Sequence, residues 1–167
     1  MPMKKTLVIA VWNDESSLPA LFKVLTAALK KDPMEILFVD SSSQDGSLKL
    51  CQEFAAKQKS ARVLQEEKPG YANAYNRGLV EATGEAILFL DGETLPEANW
   101  SLELASALNE NDIAVGLTES NLNKRPDPFA KTMAALFKGR SARSAAAQGF
   151  ALPWGAATNL IARREWF

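Results

Sequence analysis

The sequence has 167 residues, 47% of them hydrophobic and 23% charged, which suits one globular domain with a substantial core. A formal net charge of −1 gives no electrostatic reason to expect nucleic acid as a partner. The absence of histidine excludes Ser-His-Asp and Cys-His catalytic machinery. A single cysteine cannot form an internal disulfide, and no apolar run is long enough for a signal peptide or a membrane span. These features favour a cytoplasmic protein.

Short apolar runs alternate with segments of helical periodicity along the chain. The runs predict strands at 7–12, 35–40, 61–65, 86–90, 113–117 and 155–164, with 61–65 nearer an edge. The periodic segments predict helices at 18–31, 48–55, 71–83 and 96–109. Such alternation is typical of a single α/β domain with a mostly parallel central sheet and helices on both faces.

Local signals set the expected helix ends. Ser16 or Ser17 is a candidate N-cap for the first helix, which Asp32-Pro33 ends. The third helix is expected to be interrupted by Gly78 and closed by Gly84.

Acidic or amide side chains follow three of the predicted strands, at Asn13–Glu15, at Asp40, and at Asp91 with Glu93. If the strands are parallel, these ends lie along one edge of the sheet, where ligands of open α/β sheets bind. Two carboxylates one residue apart lie on the same side of a strand, and hard cations prefer such oxygen ligands. Asp91 and Glu93 therefore predict a site for a divalent metal and, through it, a phosphorylated substrate. The alternative is a solvated Asp-Gly turn that ends the strand.

The character of the sequence changes after residue 118. Segment 121–143 carries six basic residues against one acidic residue, a local charge of +5 that leaves −6 for the rest of the chain. A helix is expected after Pro126, followed by a small-residue loop at 141–148. We expect residues 121–148 to face the acceptor, with contact to an anionic membrane surface as one form of this role. The alternative is a solvated helix that covers the sheet edge.

Five segments together resemble the family 2 glycosyltransferases with the GT-A fold. The matching segments, in chain order, are 7–15, 35–47, 70–78, 82–96 and 155–167. Several positions depart from the usual family pattern: Ala10 replaces Pro, Trp12 replaces Tyr, Asp14 replaces Glu, Ser41 replaces Asp, Tyr75 replaces Arg, and Glu93 replaces the second Asp of Asp-x-Asp. The resemblance implies a nucleotide-sugar donor, most simply a UDP-sugar, and Mg²⁺ or Mn²⁺ as cofactor.

The resemblance also assigns roles to individual residues. Asp40 is expected to accept a hydrogen bond from a pyrimidine base, with capping of the 42–45 turn as the alternative. Trp12 is expected to cover the base or ribose, unless it is a core aromatic. Asp14 or Glu15 is expected to bind the nucleoside, with helix capping as the alternative.

The diphosphate side completes the set of expected donor contacts. Asn76 and Arg77 fall in the segment that meets the sugar-diphosphate, although Arg77 is alternatively an exposed helix charge. Asp91 and Glu93 are expected to hold the metal against the diphosphate, which makes Asp91 part of the donor site as well.

The resemblance implies inverting displacement, in which a carboxylate removes the proton of the acceptor hydroxyl. In the family this base follows the segment matched here by 155–164, so it is expected beyond Phe167. Either the sequence is a fragment of a longer transferase that contains the base, or it is a short protein that lacks it. Glu119 and Glu165 are the first carboxylates to consider within the chain. We expect residues 1–118 to form the nucleotide-sugar-binding half and 119–167 to begin the acceptor-binding half.

Two other functions remain open at this point. One is a non-catalytic nucleotide-sugar-binding homologue that lacks the general base. The other is a nucleotidyltransferase, which the lack of a glycine-rich, lysine-bearing phosphate loop near the N-terminus disfavours.

Overall fold

The computed structural model describes residues 3–109, 111–116 and 159–167. In chain order the elements are β1 (Lys5–Val11), α1 (Leu18–Lys31), β2 (Glu35–Asp40), α2 (Ser47–Lys57), β3 (Ala61–Gln65), α3 (Tyr71–Glu81), β4 (Ala86–Asp91), α4 (Trp100–Ala107), β5 (Ile113–Val115) and β6 (Leu160–Arg163), followed by a 3₁₀ turn at Arg164–Trp166. Within the described ranges, no helix has the length and apolar character needed to cross a bilayer.

One sheet contains all six described strands, in the order β3-β2-β1-β4-β6-β5. Strands β1 to β4 pair in parallel, whereas β6 runs antiparallel to both β4 and β5. The predicted mostly parallel sheet is therefore confirmed, and β3 lies at an edge as expected. Because β6 is reversed relative to both neighbours, β5 runs in the same direction as β4.

Helices cover both faces of this sheet, as predicted. On one face α1, α2 and α4 enclose the larger cluster of buried side chains, which includes Leu7, Phe38 and Leu88. On the other face α3 packs Ala74 and Tyr75 on Val8, Val39 and their neighbours. The apolar runs of β1, β2 and β4 are buried on both faces for this reason.

Helix α3 continues through Gly78, so the expected interruption is wrong. Glycine is required there by proximity, because a Cβ atom at Gly78 would lie 2.2 Å from Cγ1 of Val8. Gly78 lets the helix approach β1 closely.

Gly78→Ala is expected to destabilise the fold by about 1 kcal/mol. Overpacking a stiff, buried valine typically costs about 1–3 kcal/mol, and the better helix propensity of alanine returns about 1 kcal/mol. Urea unfolding measures the difference, with Asn76→Ala on the exposed side of α3 as the matched control. Equal or greater stability of Gly78→Ala would show that the helix can shift away from β1 at no cost.

The expected closure of α3 by Gly84 is also wrong. The helix ends at Glu81, and Ala82, which follows it, has an extended backbone conformation. Gly84 instead donates its N–H to Oγ1 of Thr6 and packs directly on the backbone of Lys5 and Thr6, where a Cβ atom would meet main-chain atoms at 2.6 Å. Helix α4 is shorter than predicted: it spans Trp100–Ala107, and of the residues before it only Ala98 and Asn99 form a turn.

Candidate functional site

The C-terminal ends of β1, β2 and β4 form one edge of the sheet, referred to below as the carboxyl edge. β1 lies between the other two strands, with Val11 opposite Asp40 on β2 and Ala10 opposite Asp91 on β4. The register therefore places the two strand-end aspartates on either side of the loop that follows β1. The expected convergence of these strand ends is present in the structure.

The loop after β1 is tied to the turn after β2 by reciprocal hydrogen bonds. Asn13, at φ 55°, donates its N–H to Oγ of Ser43 and accepts the N–H of Gln44 at 2.8 Å. Oε2 of Glu15 accepts the N–H of Gly46, the N-cap of α2, at 3.0 Å. Glu15 thus has the capping contact that the sequence left open as its alternative role, although the helix is α2 rather than α1.

Asp14 is 3% exposed and interacts electrostatically with Asp91 and Glu93, and these three residues are called the acidic cluster below. Burial is the main cause that raises its pKa to about 6; the N–H of Trp12 opposes this shift, and the charges of Glu93 and Asp91 add to it. The chain approaches Asp14 closely at Gly92, where a Cβ atom would lie 2.3 Å from its Oδ2. Gly92 therefore permits the contact between the two loops.

Asp91 both closes a turn and belongs to this acidic cluster. Its Oδ1 accepts the N–H of Thr94 at 2.7 Å and of Glu93 at 3.2 Å. The turn interpretation of this stretch is thus compatible with the metal interpretation, because both described bonds use one oxygen. Within the described residues, no three or more His, Cys, Asp or Glu side chains are arranged to hold a metal ion by themselves. Mg²⁺ sites commonly use one or two carboxylates and complete the shell with phosphate and water, and the negative charge of the cluster fits such a cation.

At the opposite edge of the sheet, where β1 and β2 begin, the acidic side chains have cationic or hydrogen-bonding partners. Asp32 forms a buried ion pair with Lys5. Burial alone would raise the pKa of Glu35, but hydrogen bonds from Thr6, Thr83 and Arg62 together lower it. Asp32 and Glu35 therefore have partners that compensate their charge, whereas the charges of Asp91 and Glu93 at the carboxyl edge raise the pKa of Asp14.

Asp40 is 2% exposed and has two oxygens with different surroundings. Oδ2 accepts the N–H of Ser43 at 3.2 Å, which is the turn-capping role. Oδ1 is buried and has no hydrogen-bond partner among the described residues. A buried carboxylate oxygen without a partner is costly, and the described residues do not supply a donor for this atom.

The remaining predicted residues are exposed. Trp12 is 52% exposed at the end of β1, so the core alternative for this side chain is excluded. Asn76 and Arg77 lie on the solvent side of α3, and Arg77 pairs with Glu81 at 3.5 Å. That contact corresponds to the exposed helix charge that the sequence left open for Arg77.

The sequence did not assign a role at this site to Ser41, Ser47 or Tyr75. Ser47 accepts the N–H of Asp14 at 2.8 Å, and Tyr75 donates its hydroxyl to the carbonyl of Leu90 at 3.2 Å. The sequence did contain one signal that could have pointed to Ser41 and Tyr75, because both residues depart from the family pattern.

Of the two carboxylates considered as a general base, the structure describes Glu165 but not Glu119. Glu165 follows β6, and the neighbouring N–H of Arg164 bonds to the carbonyl of Glu85 at the start of β4. Since β6 is antiparallel to β4, Glu165 lies at the edge opposite to Asp91, and we discard it as a base for this site. Glu119 and the whole 121–148 segment lie outside the described residues.

A mostly parallel α/β sheet with acids along its carboxyl edge has the architecture of proteins that bind nucleotides and phosphorylated ligands. The sequence model of the family described as Glycosyl transferase family 2 matches residues 6–167. The chain therefore belongs to this family.

Curated relatives agree with this assignment. An undecaprenyl-phosphate 4-deoxy-4-formamido-L-arabinose transferase of Aeromonas hydrophila is 30% identical over 78% of this chain and 41% of its own length. A dolichol-phosphate mannosyltransferase of Pyrococcus furiosus is 29% identical over 68% of this chain and 33% of its own length. The chain thus spans only part of the relatives that it matches.

Solved structures share the fold. The mannosyltransferase PcManGT from Pyrobaculum calidifontis, in complex with GDP-Man and Mn²⁺, superimposes with a TM-score of 0.69 at 20% identity over 99% of this chain and 46% of that one. S. aureus TarS 1-349 in complex with UDP gives a TM-score of 0.62 at 24% identity over 71% of this chain and 37% of that one. The predicted GT-A fold is thereby confirmed.

Proposed function

We propose that this chain contains the donor-binding half of a glycosyltransferase, which binds a nucleotide-diphospho-sugar with a divalent cation and transfers the sugar to an acceptor hydroxyl by inverting displacement. The observation that carries the proposal is the arrangement around the end of β1. A buried oxygen of Asp40 that has no partner among the described residues lies on one side, and the acidic cluster of Asp14, Asp91 and Glu93 lies on the other. A nucleoside diphosphate presents matching groups, with N–H donors on the base and cation-binding oxygens on the diphosphate.

The base side favours UDP. Oδ1 of Asp40 needs a hydrogen-bond donor, and the ring N–H of uracil is one. The exposed indole of Trp12, at the end of the neighbouring strand, offers a flat surface for a base or ribose. Because the ring of guanine also carries an N–H, GDP is the nucleotide to compare with UDP.

The diphosphate side favours Mg²⁺ or Mn²⁺ held by Asp91 and Glu93. A cation there neutralises charge on the leaving nucleoside diphosphate when it is bound. Oδ1 of Asp91 accepts the N–H groups of Glu93 and Thr94, and these hydrogen bonds fix the orientation of the carboxylate. The similar mannosyltransferase was solved with Mn²⁺ and its donor, which supports the choice of ion. Glu93 is one methylene longer than Asp and extends the reach of the second ligand.

The acceptor side is proposed from charge and from relatives. Relatives are named for undecaprenyl-phosphate and dolichol-phosphate, so a lipid acceptor is proposed beside a saccharide. The basic 121–148 segment suits peripheral contact with an anionic membrane, which corresponds to a cytoplasmic protein at the inner face. We keep the division at residue 118 into donor and acceptor halves as part of this proposal.

A non-catalytic nucleotide-sugar-binding homologue is the second candidate. It is favoured by the location of Glu165 at the edge of the sheet opposite to the acids, and by glutamate in place of the usual second aspartate. Glu119 remains the carboxylate to test as a base.

Titration calorimetry tests the donor site directly. We expect UDP to bind at least about tenfold more tightly with Mn²⁺ than with EDTA, because interactions with charged groups contribute about 1.5–3 kcal/mol. Asp91→Asn should lose most of the Mn²⁺ effect, whereas the exposed Glu97→Gln in the following turn should retain it. Equal affinity with Mn²⁺ and EDTA would remove the metal from the proposal.

A further inference from the structure

Helix α3 is the described helix that contacts both sides of the candidate site. Its first turn begins at Gly70, which contacts Ser41, the residue after Asp40. Its second turn carries Tyr75, whose hydroxyl reaches the carbonyl of Leu90, the residue before Asp91. One helix is therefore hydrogen-bonded next to the base-side acid and next to the diphosphate-side acid.

The Ser41 contact fixes the start of the helix. Ser41 is 2% exposed, and its own N–H is held by the carbonyl of Val11 at 2.8 Å. Its Oγ accepts the N–H of Gly70 at 3.0 Å and lies 3.5 Å from the carbonyl of Lys68. Gly70 has φ 116°, a conformation favoured by glycine, and as the N-cap of α3 it has no side chain to cap the helix. The entry into α3 thus depends on the Ser41 hydroxyl.

The preceding loop is held by the same serine turn. Oγ of Ser42 lies 3.2 Å and 3.3 Å from the carbonyls of Glu66 and Glu67, and the N–H of Glu66 bonds to the carbonyl of Asp40 at 2.8 Å. Segment 66–70 is therefore fastened along the turn that carries Asp40.

The Tyr75 contact fixes the other side. Tyr75 is 8% exposed, and its ring packs edge-on against Phe89 with the centroids 5.3 Å apart. Its hydroxyl donates to the Leu90 carbonyl at 3.2 Å, immediately before the turn in which Oδ1 of Asp91 accepts two N–H groups. A tyrosine that is buried in this way has only the hydroxyl to connect it to polar groups.

We propose that Ser41 and Tyr75 are positioning residues, which use α3 to hold the base-binding and diphosphate-binding sides of the donor site at a fixed separation. The inference rests on the proposed donor site, and it gives a function to two of the positions where this chain departs from its family pattern. Each residue acts through a main-chain group beside an acid, and neither needs to touch the ligand.

The two hydroxyls predict different binding defects. A neutral hydrogen bond contributes about 0.5–1.5 kcal/mol, which corresponds to roughly 2- to 10-fold in affinity. Ser41→Ala should weaken uridine and UDP by the same factor in this range, because the base side is loosened for both ligands. Tyr75→Phe should leave uridine binding unchanged and should reduce the gain in UDP affinity on adding Mn²⁺ by a factor in this range.

Calorimetry with uridine and with UDP, each with Mn²⁺ and with EDTA, separates these effects. Thr26→Val is the matched control, since it removes a hydroxyl that bonds to the Phe22 carbonyl within α1. It should lower thermal stability without changing any of the four affinities. Amide hydrogen exchange of the ligand-free protein adds a second readout, in which Tyr75→Phe should speed exchange at Glu93 and Thr94 more than at α1.

The outcomes distinguish this inference from the proposed function. If the wild type binds UDP and both variants bind uridine and UDP as tightly as the wild type does, the positioning roles are overturned and the donor site stands. Wild-type protein that binds neither ligand would overturn the donor site and this inference with it. Unchanged exchange at Glu93 and Thr94 in Tyr75→Phe would exclude a role of Tyr75 in holding the Asp91 turn.

Discussion

Asp40→Asn is expected to weaken UDP binding on the order of 10- to 100-fold, because a hydrogen bond to a charged acceptor contributes about 1.5–3 kcal/mol. The structure gives the physical reason. Asp40 uses Oδ2 for the N–H of Ser43 and keeps Oδ1 buried and unpartnered among the described residues. Asparagine has its one oxygen at only one of the two carboxylate positions and an NH2 group at the other, so it can accept at the Ser43 position or at the Oδ1 position, but not at both. Calorimetry at constant salt with Mn²⁺ present measures the loss.

Asp45→Asn is the matched control for this variant. Asp45 lies in the same turn, and its oxygens accept the backbone N–H groups of Ser47 and Glu15. The same acid-to-amide change should therefore lower thermal stability with little effect on UDP affinity. If Asp40→Asn instead lowers the melting temperature and keeps the affinity of the wild type, Asp40 is a structural cap and the base-binding role is wrong.

Sequence periodicity was sufficient for the framework of this fold. The buried runs of β1, β2 and β4 are apolar on both faces, and that pattern predicts the centre of a parallel α/β sheet. The placement of β6 between β4 and β5 could not be predicted in this way. Antiparallel insertion depends on which strand edge is free after β4 has formed, and a four-residue strand carries too little pattern to show its direction.

Glycines were the least predictable positions. Gly78 and Gly84 were interpreted from their backbone preferences, as a helix interruption and a helix end. Both are instead required by close approach, to Val8 and to the backbone of Lys5 and Thr6. Proximity between segments far apart in sequence leaves no local signal, whereas Gly70 adopts a positive φ, which is the kind of backbone preference that a glycine does signal locally.

The candidate site was predictable in its acids and not in its connections. Asp40 and Asp91 end strands, and Asp14 and Glu93 closely follow strands, so the sequence alone places all four at one edge. That Oδ1 of Asp40 has no partner within the described part of the chain, or that Ser41 holds the N–H of Gly70, depends on the hydrogen bonds between loops. Asp14 and Glu15 were equivalent in the sequence, and the structure separates them, because Glu15 bonds to Gly46 while Asp14 turns inward against Gly92.

Asp14→Asn is expected to stabilise the metal-free protein at pH 7.5 by roughly 1–3 kcal/mol. Asp14 has its pKa raised from 3.8 to about 6, first by burial and then by the charges of Glu93, Asp91 and Asp45, while the N–H of Trp12 opposes the shift. Each unit of pKa shift corresponds to about 1.4 kcal/mol between the two protonation states. Asparagine retains an oxygen for the Trp12 N–H and cannot ionise, so it removes the buried charge.

The sign of this effect predicts its pH dependence. Below pH 3.8 the carboxyl group is protonated in both the folded and the unfolded chain, and the substitution gives no advantage. As the pH rises from about 4 to about 6, the unfolded chain releases the proton more readily than the folded protein, and the wild type loses stability. The gain from Asp14→Asn should therefore appear across this window and level off above pH 6. Thermal unfolding in EDTA at several pH values measures it, and a gain of about 2 kcal/mol corresponds to roughly 4–8 °C for a domain of this size.

Glu93→Gln tests whether the acidic cluster contributes to the raised pKa of Asp14 and to the resulting loss of stability. Glu93 is the first of the charges that raise the pKa of Asp14, so its neutralisation should give a smaller stabilisation over the same pH window. The double variant should gain less than the sum of the two single variants, because both remove the same repulsion. Glu97→Gln, an exposed acid outside the cluster, should change nothing. Destabilisation by Asp14→Asn at pH 7.5 in EDTA would show that the carboxylate is compensated in the folded protein, and the charge argument for a cation at Asp91 and Glu93 would then be lost.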